Sequence, residues 1–280
     1  MILHPLIWDK LFLYQPLHGK GVIFVRKNNK VNKLVRCALL LAIALVLKNF
    51  SYMVYIGGGG GMRIGVSGFF TRLAAVLFGP GYGAAVSALN DIIGTVIKPD
   101  GAYIFPLTLT AAAGGAIAGG VFRTVKEVNT ATIKKIYLIF SAAIGISGVF
   151  IHINAALIPD GAIGAWIGGF GKKSGYFTYG AYVICALGLV FYAINAIIEK
   201  KSQKPFTENY MKMFVTFFLA DVPVTTANTF ILMAFIPALG KLPFWSFYLP
   251  RLAQEILSVF VSSYFVAYLQ WVCARHKLNE

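Results

Sequence analysis

The sequence predicts an all-α polytopic membrane protein with about eight transmembrane helices, and three observations predict it. Of the 280 residues, 58% are apolar and only 12% charged, with a mean hydropathy of +0.72. An ordinary soluble domain is nearer 25% charged, and a compact domain of this size has no interior large enough to hide so much apolar surface from water. The apolar residues also fall into runs near the length of a helical span, roughly 17–25 residues. Finally, basic residues gather in alternate connections. A soluble enzyme, a disordered chain and a disulfide-stapled module are excluded.

The elements follow in order. Residues 1–33 read as a cytoplasmic arm. Asp9, Lys10, Lys20, Arg26 and Lys27 break up any signal-peptide core, while Trp8, Leu11, Phe12 and Leu13 suit the membrane surface. The first span is 34–50. A glycine run, Gly57 to Gly61, occupies the loop after it. Two short apolar stretches, 66–78 and 82–97, are joined by the tight reversal Phe78-Gly79-Pro80-Gly81. Further spans are 105–122, 136–158, 176–198, 211–235 and 247–273. They read as helices because hydrocarbon leaves backbone polar groups no partner outside their own segment. Runs such as 38–47 lack the dyad alternation of a barrel strand.

Orientation follows from the loops. Lys plus Arg is 25 and Asp plus Glu is 10, a net charge of +15. The arm carries Lys10, Lys20, Arg26, Lys27, Lys30, Lys33 and Arg36. Arg123, Lys126, Lys134, Lys135, Lys200, Lys201, Lys204, Arg275 and Lys277 fall on the same side of an eight-span chain. The other side has Arg63, Lys98, Lys172, Lys173 and Lys241. Basic residues favour the cytoplasm, which places both termini there and accounts for the charge without a nucleic-acid partner. The expected location is the cell membrane.

Catalytic spacings are missing. No HExxH or GxSxG occurs, and Gly171-Lys172-Lys173-Ser174 has Lys where a phosphate loop needs Ser or Thr. Cys37, Cys185 and Cys273 are far apart, with no CxxC pair for zinc or redox chemistry. The chain reads as a non-enzyme without metal or cofactor. Uphill transport then needs an ion gradient or a separate ATPase.

Polar residues inside spans carry more information. Arg72, Asp91, Asp221 and Glu255 lie in apolar runs, and Arg251 opens the last. Arg251 and Glu255 are four apart and share a helix face. Asp91 and Arg251 fit either a solute pocket opening outward or ion pairing between helices. Asp221 and Glu255 read as ion pairing. Three outer loops mix rings with cations: Tyr52, Tyr55 and Arg63; Lys98 and Tyr103; Lys241, Phe244, Trp245 and Tyr248. That mixture suits an interfacial aromatic belt or a flat anionic heteroaromatic ligand. Gly81, Gly83, Ala84, Ala85 and Ala88, with Gly114, Gly115, Gly119 and Gly120, are the small residues of close helix packing.

One stretch has a family likeness. Met62-Arg63-Ile64-Gly65, Leu77-Phe78-Gly79-Pro80-Gly81-Tyr82-Gly83-Ala84, Ala88-Leu89-Asn90-Asp91-Ile92-Ile93-Gly94 and Pro99-Asp100-Gly101-Ala102-Tyr103 lie in series. Together with Phe247-Tyr248-Leu249-Pro250-Arg251-Leu252 they resemble the substrate-binding S components of energy-coupling factor (ECF) transporters, in the folate-type branch. The resemblance implies six core helices and a vitamin pocket at the outer face. It also implies a membrane coupling subunit and two cytoplasmic ATPases as partners. Ala38-Leu39-Leu40-Leu41-Ala42 matches the family's AxxxA docking pattern, so Ala38 and Ala42 would meet the coupling subunit. Residues 34–122 and 211–280 would form the core, and 123–210 an inserted helix pair. From position and chemistry, Arg63, Asn90, Asp91, Lys98, Tyr103, Phe244, Trp245 and Arg251 are the pocket candidates. The alternative function is a stand-alone carrier driven by a proton or sodium gradient, with Asp91 and Asp221 as coupling carboxylates.

Overall fold

Each apolar run becomes a helix in the computed structural model, which describes residues 29–56, 60–99, 101–169, 174–202 and 206–275. The surface role expected of Trp8, Leu11, Phe12 and Leu13, the first three glycines of the run, Asp100, and Lys172 with Lys173 lie outside those residues. The order is α1 (Asn29–Lys48), β1 (Tyr52–Ile56), β2 (Gly60–Ile64), α2 (Ser67–Phe78), α3 (Pro80–Ile97), α4 (Phe105–Val125), α5 (Thr130–Leu157), α6 (Ala162–Gly168), α7 (Ser174–Ser202), α8 (Phe206–Phe235), α9 (Pro237–Gly240) and α10 (Phe244–Arg275). Among the described residues, five helices are long and apolar enough to cross a membrane: α4, α5, α7, α8 and α10. The protein is an all-α multi-pass membrane protein.

The loop after α1 departs from expectation. β1 and β2 pair antiparallel, from Tyr52 opposite Ile64 to Ile56 opposite Gly60. Tyr52-Met53-Val54-Tyr55-Ile56 is rich in strand formers. This hairpin marks one end of the bundle, called here the hairpin end. The end of α1, the start of α2, the end of α3, the start of α4, the end of α8 and the start of α10 all lie toward it.

Helix α2, only 12 residues long, packs against α1, α3, α4 and α10. Gly79 turns the chain from α2 into α3 at φ +94°, a conformation few side chains tolerate, and Pro80 then opens α3. Helices α3 and α4 meet backbone to backbone. A Cβ added to Gly83 would lie 2.5 Å from Gly115 O, and one on Gly119 would lie 2.6 Å from Pro80 N. Of the other expected contact glycines, Gly114 faces Val224, whereas Gly81 and Gly120 have open space around them. Helix α4 continues the sequence of contacts to α8, and α8 packs along α10.

Helices α5 and α7 pair with each other and reach the bundle through α8 and α10. The junction is aromatic. Tyr137, Tyr210, Phe214 and Phe260 are fully buried, with Tyr137–Phe214 centroids 4.7 Å apart and Phe214–Phe260 centroids 4.8 Å apart. Edge and offset stacking add to the apolar burial. Tyr137 OH donates to Gly188 O at 2.8 Å and accepts from Tyr210 OH at 3.2 Å.

Nearby, Asn195 on α7 is fully buried, and neither its side-chain nitrogen nor its oxygen has a partner among the described residues. An unsatisfied buried amide costs on the order of 1–3 kcal/mol. Asn195→Leu, close in volume, is expected to stabilise the protein by about 1 kcal/mol, read as a higher thermal midpoint in detergent. A lower midpoint would mean that the amide is hydrogen-bonded.

Candidate functional site

The hairpin end of the bundle holds a polar layer. Asp91 lies six residues from the end of α3, Thr110 five from the start of α4, Asn228 seven from the end of α8, and Arg251 seven from the start of α10. At 1.5 Å per residue these are all about 8–10 Å deep. Uncompensated polar groups at such depth are costly, and here they bond in chains. Tyr103 OH donates to Thr108 Oγ1 at 2.8 Å, and Thr108 donates to Asp91 Oδ2 at 2.6 Å, which ties α3 to α4. Thr110 Oγ1 donates to Asn228 Oδ1, which ties α4 to α8. Arg251 Nε donates to Thr229 Oγ1 at 3.2 Å, which ties α10 to α8. The Arg251 guanidinium also lies over the Phe247 ring, 5.1 Å from its centroid.

Aromatic rings stand above this layer. Phe244 is stacked between Phe230, at 4.7 Å and 20°, and Tyr248, at 5.1 Å and 17°. Trp245 meets Phe244 edge-on at 5.3 Å and is 56% exposed. Tyr248 OH donates to Thr226 Oγ1 at 3.0 Å, since the Thr226 proton goes to Val222 O. Within this ring cluster Trp245 and Phe230 are exposed, whereas Phe244 stacks against two neighbours.

Beneath the layer is a compact ion cluster. Arg72 Nη2 on α2 reaches Asp221 Oδ2 on α8 at 2.6 Å and Glu255 Oε1 on α10 at 3.1 Å. Glu255 Oε2 accepts from Thr225 Oγ1 at 3.1 Å. The three charged side chains are only 15–20% exposed. Glu255 thus bonds to Arg72, across the bundle, and the inter-helical ion pairing expected of Asp221 and Glu255 takes this form. Prolines interrupt both neighbouring helices close by, Pro223 in α8 and Pro250 in α10.

The other pocket candidates lie toward α1. Lys98 Nζ donates to Asn49 O at 3.0 Å and to Ser51 O, capping the end of α1. Lys48, 4% exposed, crosses from α1 to donate to Asn90 O at 3.1 Å. Each helix so lends a lysine to the other's backbone. Asn90 Oδ1 is buried and has no partner among the described residues. Arg63 lies on β2 opposite Met53. An open cleft of about 400 Å³ beside Tyr103 is lined by Ile92, Thr95, Val96, Pro99 and Gly101. The structure therefore joins Asp91 with Tyr103 through Thr108, and places Phe244 and Trp245 on α10, the helix that also holds Arg251 and that the Tyr248–Thr226 bond ties to α8. It leaves Lys98 and Asn90 as parts of the α1–α3 junction.

Ala38 and Ala42 are both exposed on α1. They share a face with Val31, Leu34, Val35, Leu39, Ile43 and Val46, whereas Cys37, Ala44 and Lys48 turn inward. Helix α1 packs against α2 and α3, and the α5–α7 pair packs on the other side, against α8 and α10.

Thr110, Thr226, Asn228 and Thr229 were not singled out from the sequence. The signal was present: Thr225-Thr226-Ala227-Asn228-Thr229 is a polar run inside an otherwise apolar span.

With this geometry in view, comparison with known proteins adds one likeness. No protein-family model matches the chain, and no solved structure matches it. Over 126 residues, 45% of its length, the chain is 31% identical to the folate transporter FolT of Clostridium novyi (strain NT), and the matched part spans 66% of that protein, just under two thirds of it.

Proposed function

We propose that the chain is the substrate-binding S component of an ECF-type importer and captures a folate-like vitamin at its outer face. The observation that carries this reading is the polar layer of Asp91, Thr110, Asn228 and Arg251 beneath the rings of Phe244 and Trp245. A flat ring system stacks on exposed aromatic faces, its polar edge meets hydrogen-bonding side chains, and its carboxylate meets a guanidinium. Folate has all three parts. The likeness to a protein named as a folate transporter points the same way.

In this reading α1, α3, α4, α5, α7, α8 and α10 cross the bilayer with the short α2 packed among them as the eighth membrane helix, both termini are cytoplasmic, and the hairpin end faces outward. Arg63, Tyr103, Trp245 and Arg251 contact the solute, with Asp91 and Phe244 behind them, and Lys98 and Asn90 frame the site. The exposed alanine face of α1 receives the coupling subunit, which passes on work done by two ATPases. The α5–α7 pair is an insertion in a six-helix core. Its packing on α8 and α10 supports an unobstructed α1. Both carboxylates that an ion-driven carrier would use are already engaged, Asp91 by Thr108 and Asp221 by Arg72, which favours the receptor reading over the carrier.

The test is reconstitution in sealed vesicles. The chain alone is expected to bind folate without concentrating it, and to concentrate it once the coupling subunit, the ATPases and ATP are added. Accumulation by the chain alone, abolished by a protonophore, would establish the carrier instead. Arg251→Ala is expected to weaken folate binding by about 1.5–3 kcal/mol, the worth of a charged hydrogen bond, or roughly ten- to more than a hundredfold in Kd. Titration calorimetry on the purified variant measures it. Unchanged affinity would make Arg251 a structural residue.

A further inference from the structure

We propose that Lys48 is a positioning residue for solute capture: it pins the root of the hairpin to α3 and so fixes where β2, which carries Arg63, stands relative to the polar layer. This rests on the folate-like reading above and goes beyond it by naming what holds the outer hairpin in place.

Lys48 is the last residue of α1, at the hairpin end. A lysine at the end of a membrane helix ordinarily carries its ammonium outward to water. Lys48 turns inward instead and is only 4% exposed. Its ammonium donates to Asn90 O on α3 at 3.1 Å. Helix α3 is shaped to receive it. A Cβ added to Gly94 would lie 2.3 Å from Lys48 Nζ and 2.4 Å from its Cδ, so the missing side chain leaves a notch that the lysine stem fills. A helical side chain covers the turn before its own Cα, so a larger residue at Gly94 would also shield the Asn90 carbonyl.

The two ends of the hairpin meet at the same place. Ser51 stands just before β1 and Gly65 just after β2, and a Cβ on Gly65 would lie 2.7 Å from Ser51 Cβ. Ser51, 6% exposed, donates its hydroxyl proton to Lys48 O at 2.6 Å. The Ser51 carbonyl accepts from Lys98 Nζ, which also donates to Asn49 O at 3.0 Å. The root is thus held from α1 and α3 together. A two-stranded hairpin is marginally stable alone in water, so this root decides where its strands stand. Asn90, which accepts from Lys48, directly precedes Asp91 of the polar layer. One stretch of α3 therefore carries both the anchor of the hairpin and part of the site.

The experiment uses the full-length protein in detergent. Stopped-flow fluorescence measures the association and dissociation rates of folic acid, mass spectrometry measures amide hydrogen exchange, and the thermal midpoint is the folding control. Lys48→Met keeps an unbranched stem and removes the ammonium. It is expected to speed dissociation about tenfold and to raise exchange in β1 and β2, with little change in the association rate, in exchange within α5 and α7, or in the midpoint. Gly94→Ala, which fills the notch from the other helix, should act in the same way, and the two changes together should do little more than either alone, because they break one contact. Unchanged dissociation in Lys48→Met overturns the assignment and leaves folate capture intact. Faster dissociation with unchanged hairpin exchange overturns it too, since Lys48 would then act elsewhere. So does a lowered midpoint with faster exchange throughout, the mark of a general packing contact. Failure of the wild type to bind folic acid overturns the folate reading and this assignment with it.

Discussion

Arg72→Met is expected to destabilise the protein by about 3–5 kcal/mol, the cost of removing one partner from a buried charge cluster. The guanidinium holds two carboxylates from different helices on a single nitrogen, at 2.6 and 3.1 Å. Without it Asp221 and Glu255 repel each other in a medium that screens little. The loss should show as a sharply lower thermal midpoint and loosened contact between α2 and the α8–α10 pair. Replacing all three charges together, with Arg72→Met, Asp221→Leu and Glu255→Met, is expected to recover most of that loss, because apolar side chains of similar volume incur no desolvation penalty. Recovery in the triple variant identifies the cluster as charge compensation alone. A triple variant as unstable as Arg72→Met would show that the cluster is needed for geometry as well.

The double variant Ala38→Trp with Ala42→Trp is expected to abolish co-purification with the coupling subunit and to leave folate binding unchanged. The alanines lie one turn apart on an exposed face of α1, where small residues let another helix come close. Two indole rings hold that helix several ångströms away, and dispersion contacts vanish over such a gap. Neither alanine lies in the polar layer, so ligand affinity serves as the internal control. A complex that survives both rings would place the docking surface elsewhere.

The helices were legible because lipid imposes a length and a composition on any span, and both can be counted along the chain. The hairpin was not, because five strand-forming residues between an apolar helix and a glycine run look like loop until a second strand pairs with them. The charge cluster was legible only in part. Glu255 has a local candidate in Arg251, four residues away, but its observed partner is 183 positions distant. Spacing along a helix reveals neighbours on that helix and says nothing of what the fold brings opposite. Asn228 was missed for a related reason: a mean over a span of apolar residues dilutes a short polar run, and only the register of α8 against α4 and α10 gives each member of that run a direction. Lys98 illustrates the reverse, since a cation in a ring-rich loop suggests a ligand contact, whereas its ammonium caps α1.

The glycine contact between α3 and α4 also sets how the molecule yields. With Gly83 and Gly115 touching through their backbones, those two helices have no side-chain layer between them to compress or slide, and they behave as one stiff plate. Facing them, α8 and α10 each lose a backbone hydrogen bond at a proline close to the polar layer. Compliance is therefore one-sided. A guest of different thickness would be accommodated by flexing the proline-bearing wall, and the plate would keep its shape.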